Sequence, residues 1–272
     1  MKKLVLALSA IAAFTGSALS GSALAADLPA RAYTKAPEAP VTSSWTGFYL
    51  FGGAGGGLWD ADNNVVSQAT GVALSRDQRL GGDGWFGTVG VGYDWQLNPS
   101  WVFGILADGQ FGSIRGSIAD PIPGIGGFEG REKLSTSYAA GVRLGYLVAP
   151  NVLSYVNAGY SGSEWSSASF SDLGVAGAAN AFTTPSFHRD GFFIGGGVEN
   201  NLNIFGITAP GWFMKTEYRS AFYDRITLPE TFTPAFGGGI TGNSVTFKPT
   251  VQTISTSVVY RFNWTGPVVA KY

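Results

Sequence analysis

Residues 84–97 read GWFGTVGVGYDWQL. Trp85, Val89, Val91, Tyr93, Trp95 and Leu97 share one face of an extended chain, and Thr88, Gly90, Gly92, Asp94 and Gln96 share the other. Successive strand side chains point to opposite faces, so one face is apolar and aromatic while the other is small and polar and carries a carboxylate. Asn98, Pro99 and Ser100 end the run as a short turn. The run exceeds the ~5–6 residues of an ordinary strand. It matches the roughly 9–11 residues that cross a bilayer at a tilt.

The same rule repeats on either side. Residues 101–114 set Trp101, Phe103, Ile105, Ala107 and Phe111 against Gly104, Asp108, Gln110 and Gly112. Residues 132–148 set Leu134, Tyr138, Ala140, Val142, Leu144, Tyr146 and Val148 against Lys133, Ser135, Ser137, Gly141, Arg143 and Gly145. Similar stretches occupy 152–165, 187–202 (with Phe193 off the pattern), 212–223 and 250–263. The first stretch, 45–59, is so rich in glycine that either face can be the outer one. Short turns at 98–100, 149–151 and 203–210 alternate with long connections at 60–83, 115–131, 166–186 and 224–248. The reading is an all-β, eight-stranded, antiparallel up-and-down transmembrane β-barrel, with both chain ends on the short-turn side.

Charge placement decides which face looks inward. Asp94, Asp108, Arg143, Glu199, Lys215, Glu217, Arg219 and Arg261 all lie opposite the large apolar residues, four acids against four bases. A basic residue facing lipid at mid-membrane costs roughly 2–4 kcal/mol, so a membrane barrel hides such groups in its lumen. There, balanced charges satisfy one another. This set is expected to form a structural network that plugs an interior only wide enough for side chains. Trp85, Trp95, Trp101, Tyr146, Trp212 and Phe262 sit near strand ends and are expected to form aromatic girdles.

The chain opens with Met1-Lys2-Lys3, an apolar run from Leu4 to Phe14, and Ala23-Leu24-Ala25. That is the pattern of a cleaved signal peptide over residues 1–25. Residues 26–44 are rich in Pro and Ala and read as a periplasmic tail, followed by the barrel at 45–264 and a C-terminal extension at 265–272. Without Lys2 and Lys3 the exported chain keeps 15 basic residues against 18 acidic ones. Nothing here suits nucleic acid. With Cys 0 there is no disulfide or thiolate chemistry, and with His 1 there is no histidine cluster for zinc. Charged residues make up 13% of the chain against an ordinary share of about 25%. Aromatics reach 14%, which fits an outer surface that is not in water.

Several motifs resemble a known family: ADLPARAYTKAP after the leader, WTGFYLFGGAGGG in the first strand, GGGVE at 195–199, KTEYR at 215–219 and the ending VVYRFNWTGPVVAKY. The chain resembles the alphaproteobacterial small outer-membrane β-barrel proteins, called porin-family or outer-membrane immunogenic proteins and similar to OmpA-type barrels. The resemblance implies a Gram-negative outer-membrane location, surface-exposed loops, and contact with outer-membrane lipid and lipopolysaccharide. It also implies delivery by the barrel-assembly machinery through Tyr260 and Phe262, although ten residues follow Phe262.

No enzyme or cofactor is expected. His188 lies at a strand mouth with Ser186 nearby, which is too little for a nucleophile–base pair. Gly52 to Gly57 does not fit the G-x-G-x-x-G phosphate cradle, and Asp60, Asp62, Asn63 and Asn64 do not make an EF-hand loop. The expected role is structural and surface-interactive. Two alternatives stay open: a narrow porin-like channel, and binding of an unidentified loop ligand (haem, lipopolysaccharide or a host surface) through Phe128, Phe170, Phe182, Phe232 and Phe236.

Overall fold

The computed structural model describes residues 44–122, 126–173, 175–204 and 207–262. The leader, the tail before Ser44 and the extension at 265–272 lie outside the described residues. Eleven strands occur in order: β1 (Gly47–Ser67), β2 (Gln78–Gln96), β3 (Trp101–Ile122), β4 (Gly126–Ala149), β5 (Val152–Trp165), β6 (Ala168–Asp172), β7 (Phe182–Thr184), β8 (Phe187–Ile204), β9 (Ile207–Tyr223), β10 (Ile226–Phe232) and β11 (Ile240–Arg261). Among the described residues a single 3-10 turn, Pro234–Phe236, precedes β11.

The expected count of eight strands is therefore corrected to eleven. The eight long strands pair antiparallel in the order β1-β2-β3-β4-β5-β8-β9-β11, and β11 pairs back onto β1 from Tyr49↔Arg261 to Ser67↔Asn243. The other three strands stand where long loops were expected. β4 pairs with β6, β6 with β7, β7 with β10 and β10 with β11. Above the ends of β5, β8 and β9, a second closed circuit of pairings thus runs β1-β2-β3-β4-β6-β7-β10-β11. The wall has two tiers, and β6, β7 and β10 take the places of β5, β8 and β9 in the upper one. Pairing satisfies backbone groups that a wandering loop would leave to water. It also explains why β1, β3, β4 and β11 run to between 21 and 24 residues.

Two local details depart from simple alternation. Leu134, expected outside, is buried inside. Register shifts between Phe111 and Ile114 on β3, and between Leu134 and Thr136 against β5, mark a bulge that swaps faces along β4. Glu132 and Leu134 turn inward above it, and Ala139 and Arg143 turn inward below it. Phe193 is not off-pattern but an inward residue, while its neighbour Phe192 faces out. The first strand resolves likewise, with Tyr49, Phe51 and Trp59 inward and Phe48, Leu50 and Leu58 outward. The third short connection narrows to residues 205–206, outside the described residues, since Ile204 pairs with Ile207.

Candidate functional site

Inside the lower tier lie all eight charged side chains picked out by alternation, each buried. They form two quartets. In the first, Arg143 Nε donates to Asp94 Oδ1 at 2.8 Å, a second Arg143 nitrogen pairs with the other Asp94 oxygen, and Arg143 Nη1 donates to Glu199 Oε2 at 3.0 Å. Arg261 mirrors it, with Nη1 to Asp94 Oδ2 and Nε to Glu199 Oε1, both at 2.8 Å. Two guanidinium forks thus face two carboxylates in a loop of charge-assisted bonds with no net charge.

In the second quartet Arg219 grips Asp108 with both terminal nitrogens, at 2.9 and 2.7 Å, and reaches Glu217 Oε1 at 2.8 Å. Lys215 Nζ lies 3.6 Å from Glu217 Oε2. This group is also neutral. Tyr155, which alternation puts on the lumen face, joins the two. Its hydroxyl donates to Glu217 Oε2 at 2.8 Å, and its ring lies 5.2 Å from the Arg143 guanidinium.

The lumen also holds aromatics that the charge argument did not anticipate. Arg143 lies 4.4 Å over the Tyr49 ring, Arg261 4.4 Å over Trp45, Arg219 4.5 Å over Phe193, and the Lys215 ammonium 3.3 Å over Phe51. Each cation meets carboxylates at its polar atoms and a ring at its face, so little of it stays unsolvated. Glycines make room for this filling. A Cβ on Gly92 would sit 2.2 Å from the Tyr49 ring, and one on Gly104 2.0 Å from Asp94 Oδ1. The signal for these rings was the pairing of bulky residues with lumen-facing glycines on the adjacent strand, as in Tyr49↔Gly92.

The upper tier is filled differently. Trp59, Phe86, Ile114, Ile118, Leu134, Trp165, Phe170, Phe182 and Phe247 form one buried apolar cluster. Trp59 packs edge-on against Trp165 at 5.5 Å, and Trp165 against Phe247 at 5.1 Å. Among these residues lie three buried carboxyls, Asp120, Glu132 and Glu230. Burial pushes Glu132 up to about 8. Burial, then the neighbouring Asp120, pushes Glu230 up to about 8, and burial raises Asp120 to about 6.

Outside, the aromatics expected in girdles are exposed. Trp95, Trp101, Tyr146, Trp212 and Phe262 mark the short-turn margin, and Trp85, 79% exposed, marks the other. Rings link along the lower margin: Tyr93 to Trp95 at 4.7 Å, Trp101 to Tyr146 at 5.2 Å, Trp212 to Tyr260 at 5.0 Å and Tyr260 to Phe262 at 5.1 Å. Between the margins the wall presents Leu50, Val89, Val91, Ile105, Val142, Val156, Ile194, Ile254 and Val258. Polar groups on this face pair with each other: Tyr218 donates to Gln252 Oε1 at 2.8 Å, and the Thr216 and Thr256 hydroxyls lie 3.2 Å apart. His188 lies on the outer face above the belt, with Nε2 2.9 Å from Asp190 Oδ1 and 3.4 Å from the Tyr138 hydroxyl.

Residues 7–262 match the model of the outer membrane protein beta-barrel domain. The chain belongs to that family. Within it, the 31 kDa outer-membrane immunogenic proteins of Brucella melitensis and Brucella suis are each 30% identical over 216 residues, covering 77% of this chain and 85% of theirs. The family and these relatives place the protein in the Gram-negative outer membrane. Among solved structures, the outer membrane protein OprG of Pseudomonas aeruginosa matches 81% of this chain and 99% of its own at 11% identity and a TM-score of 0.47. Neisserial surface protein A matches 81% and 99% at 13% identity and a TM-score of 0.35.

Proposed function

We propose that this member of the family is a structural, surface-presenting barrel whose lumen is closed by its own side chains and which performs no catalysis. The observation that carries the reading is the pair of neutral quartets bridged by Tyr155. Together they join β2, β4, β8 and β11 in one group and β3 and β9 in the other. An eight-stranded ring has an interior that side chains can fill. Here it holds guanidinium forks, carboxylates and stacked rings rather than a water-lined path. The apolar belt and its aromatic margins anchor the ring in lipid, and the upper tier stands clear of the belt to meet lipopolysaccharide and the surroundings. Tyr260 on β11 and Phe262 just past its end, whose rings lie 5.1 Å apart, are the residues we propose for contact with the assembly machinery.

Purified protein in a planar bilayer tests the reading. The expected record is flat, with no stable conductance. Large, reproducible ion-conducting steps would favour the narrow porin-like channel and overturn it.

A further inference from the structure

In the upper tier, an open recess of about 450 Å³ lies between β7, β10 and the turn at Pro234–Phe236. Four phenyl rings stand in its wall, beside small apolar residues such as Val175 and Ala178. Phe182 is fixed by Phe128 at 5.1 Å and by Phe170 at 4.8 Å, while Phe232 and Phe236 stay 38% and 52% exposed. Glu230 lines the same recess, although its residue surface is only 1% exposed. Apart from the neighbouring Asp120 carboxyl, its side chain meets only the Thr241 hydroxyl, 3.5 Å from Oε2, the limit of such a bond. Behind it lies Asp120, also fully buried, whose carboxyl pairs with that of Glu230. The charged residues lining the recess, Asp172 and Glu230, are both acidic.

Two carboxyls held together away from water share a proton and keep one negative charge between them, a cost that is relieved by a group that brings both an N–H and a positive charge. Phenyl faces attract the same cation, and exposed rings welcome an apolar body. We propose that the recess binds a small organic ammonium with an aromatic or short alkyl body, its nitrogen on Glu230 and its body against Phe232 and Phe236. The site is separate from the lumen quartets and does not depend on whether the barrel conducts.

Calorimetric titration of the full-length protein in detergent tests this, with 2-phenylethylammonium as probe, and 2-phenylethanol and phenylacetate as neutral and anionic comparators of the same shape. The expected result is saturable binding of the ammonium, binding of the alcohol at least about tenfold weaker, and none of the acid; tenfold corresponds to about 1.4 kcal/mol. Glu230→Gln should weaken the ammonium by about tenfold and narrow its advantage over the alcohol. Phe236→Ala, on an exposed turn, should weaken both probes while the wild-type heat-modifiable gel mobility is kept. Equal binding of ammonium and alcohol, an unchanged affinity in a folded Glu230→Gln, or only unsaturable uptake into the micelle would overturn the proposal. If Glu230→Gln does not fold, the probe comparison and Phe236→Ala decide.

Discussion

The two tiers are closed by the same kind of antiparallel ladder, yet they are stabilised by opposite means. The lower tier turns a belt of apolar side chains outward and holds its ions within, beside a smaller buried cluster of Val102, Leu153, Phe213 and Val259. The upper tier packs Trp59, Trp165, Phe170 and Phe247 within, as a water-soluble barrel does. The difference follows the solvent. Where lipid surrounds the wall, outward burial is free and the interior must be filled by groups that satisfy each other. Where water surrounds it, the hydrophobic effect returns to its usual direction and draws rings inward. One pair of strand ends, Trp165 and Phe187 stacked at 5.8 Å, marks the level at which the rule reverses.

The sharpest way to break this contrast is to delete one side chain from each tier. Arg143→Ala leaves Asp94 and Glu199 facing Arg261 alone. Removing one partner of a buried ionic group costs about 3–5 kcal/mol. Trp165→Ala removes a buried ring at a comparable cost of about 3–5 kcal/mol. The expected outcomes differ in place. Arg143→Ala should lower the urea midpoint for loss of the heat-modifiable band. Trp165→Ala should leave that midpoint nearly unchanged and expose β6, β7 and β10 to protease. If both variants fail together, the tiers are one cooperative unit.

A smaller effect is expected from facing alone. Val142 points to lipid and Ser137 lies on the inner face, where its hydroxyl donates to Gln110 Oε1 at 3.2 Å. Val142→Arg should impair assembly into the membrane fraction by about 2–4 kcal/mol equivalent, and Ser137→Arg by clearly less. Equal tolerance would contradict the outward belt.

The last expected effect is on pH. Glu132 and Glu230 are held in the folded upper tier well above their usual value, near 8. The folded state therefore keeps protons that the unfolded chain releases near 4.5. Stability of the upper tier should be greatest below that lower value, fall as pH rises through the window up to about 8, and level off above it. Hydrogen exchange of β10 amides between about pH 5 and about pH 9 reads this out. Glu132→Gln should flatten part of the slope, and a slope of opposite sign would exclude these carboxyls as its source.

Much of the lower tier was legible in the chain. The run at 84–97 fixes strand, face and turn at once, because lipid and lumen impose opposite demands on alternate residues. Ions have a single tolerable location there, so the inward facing of these eight side chains was readable one by one. The aromatics of the lumen were not. Tyr49 and Phe51 lie among glycines that blur alternation in β1, and a ring is as acceptable inside as outside. Leu134 was misplaced because a bulge reverses parity without any residue type that announces it. The upper tier was taken for loops since β6 and β7 span only 5 and 3 residues and β10 contains Pro229, each too short or too broken for a period to emerge. Asp120 and Glu230 fell within stretches read as long connections, and Glu132 stood at the very start of the fourth strand stretch, so alternation marked none of the three as buried.

The exchange of β5, β8 and β9 for β6, β7 and β10 makes the barrel divisible along a seam. Among the described residues, the replacement wall joins the fixed strands in ladders at β4 and β11, so β6, β7 and β10 form a cassette held by two edges. Such a cassette can be traded between relatives, or lengthened to carry a foreign epitope, while every hydrogen bond below the seam keeps its partner.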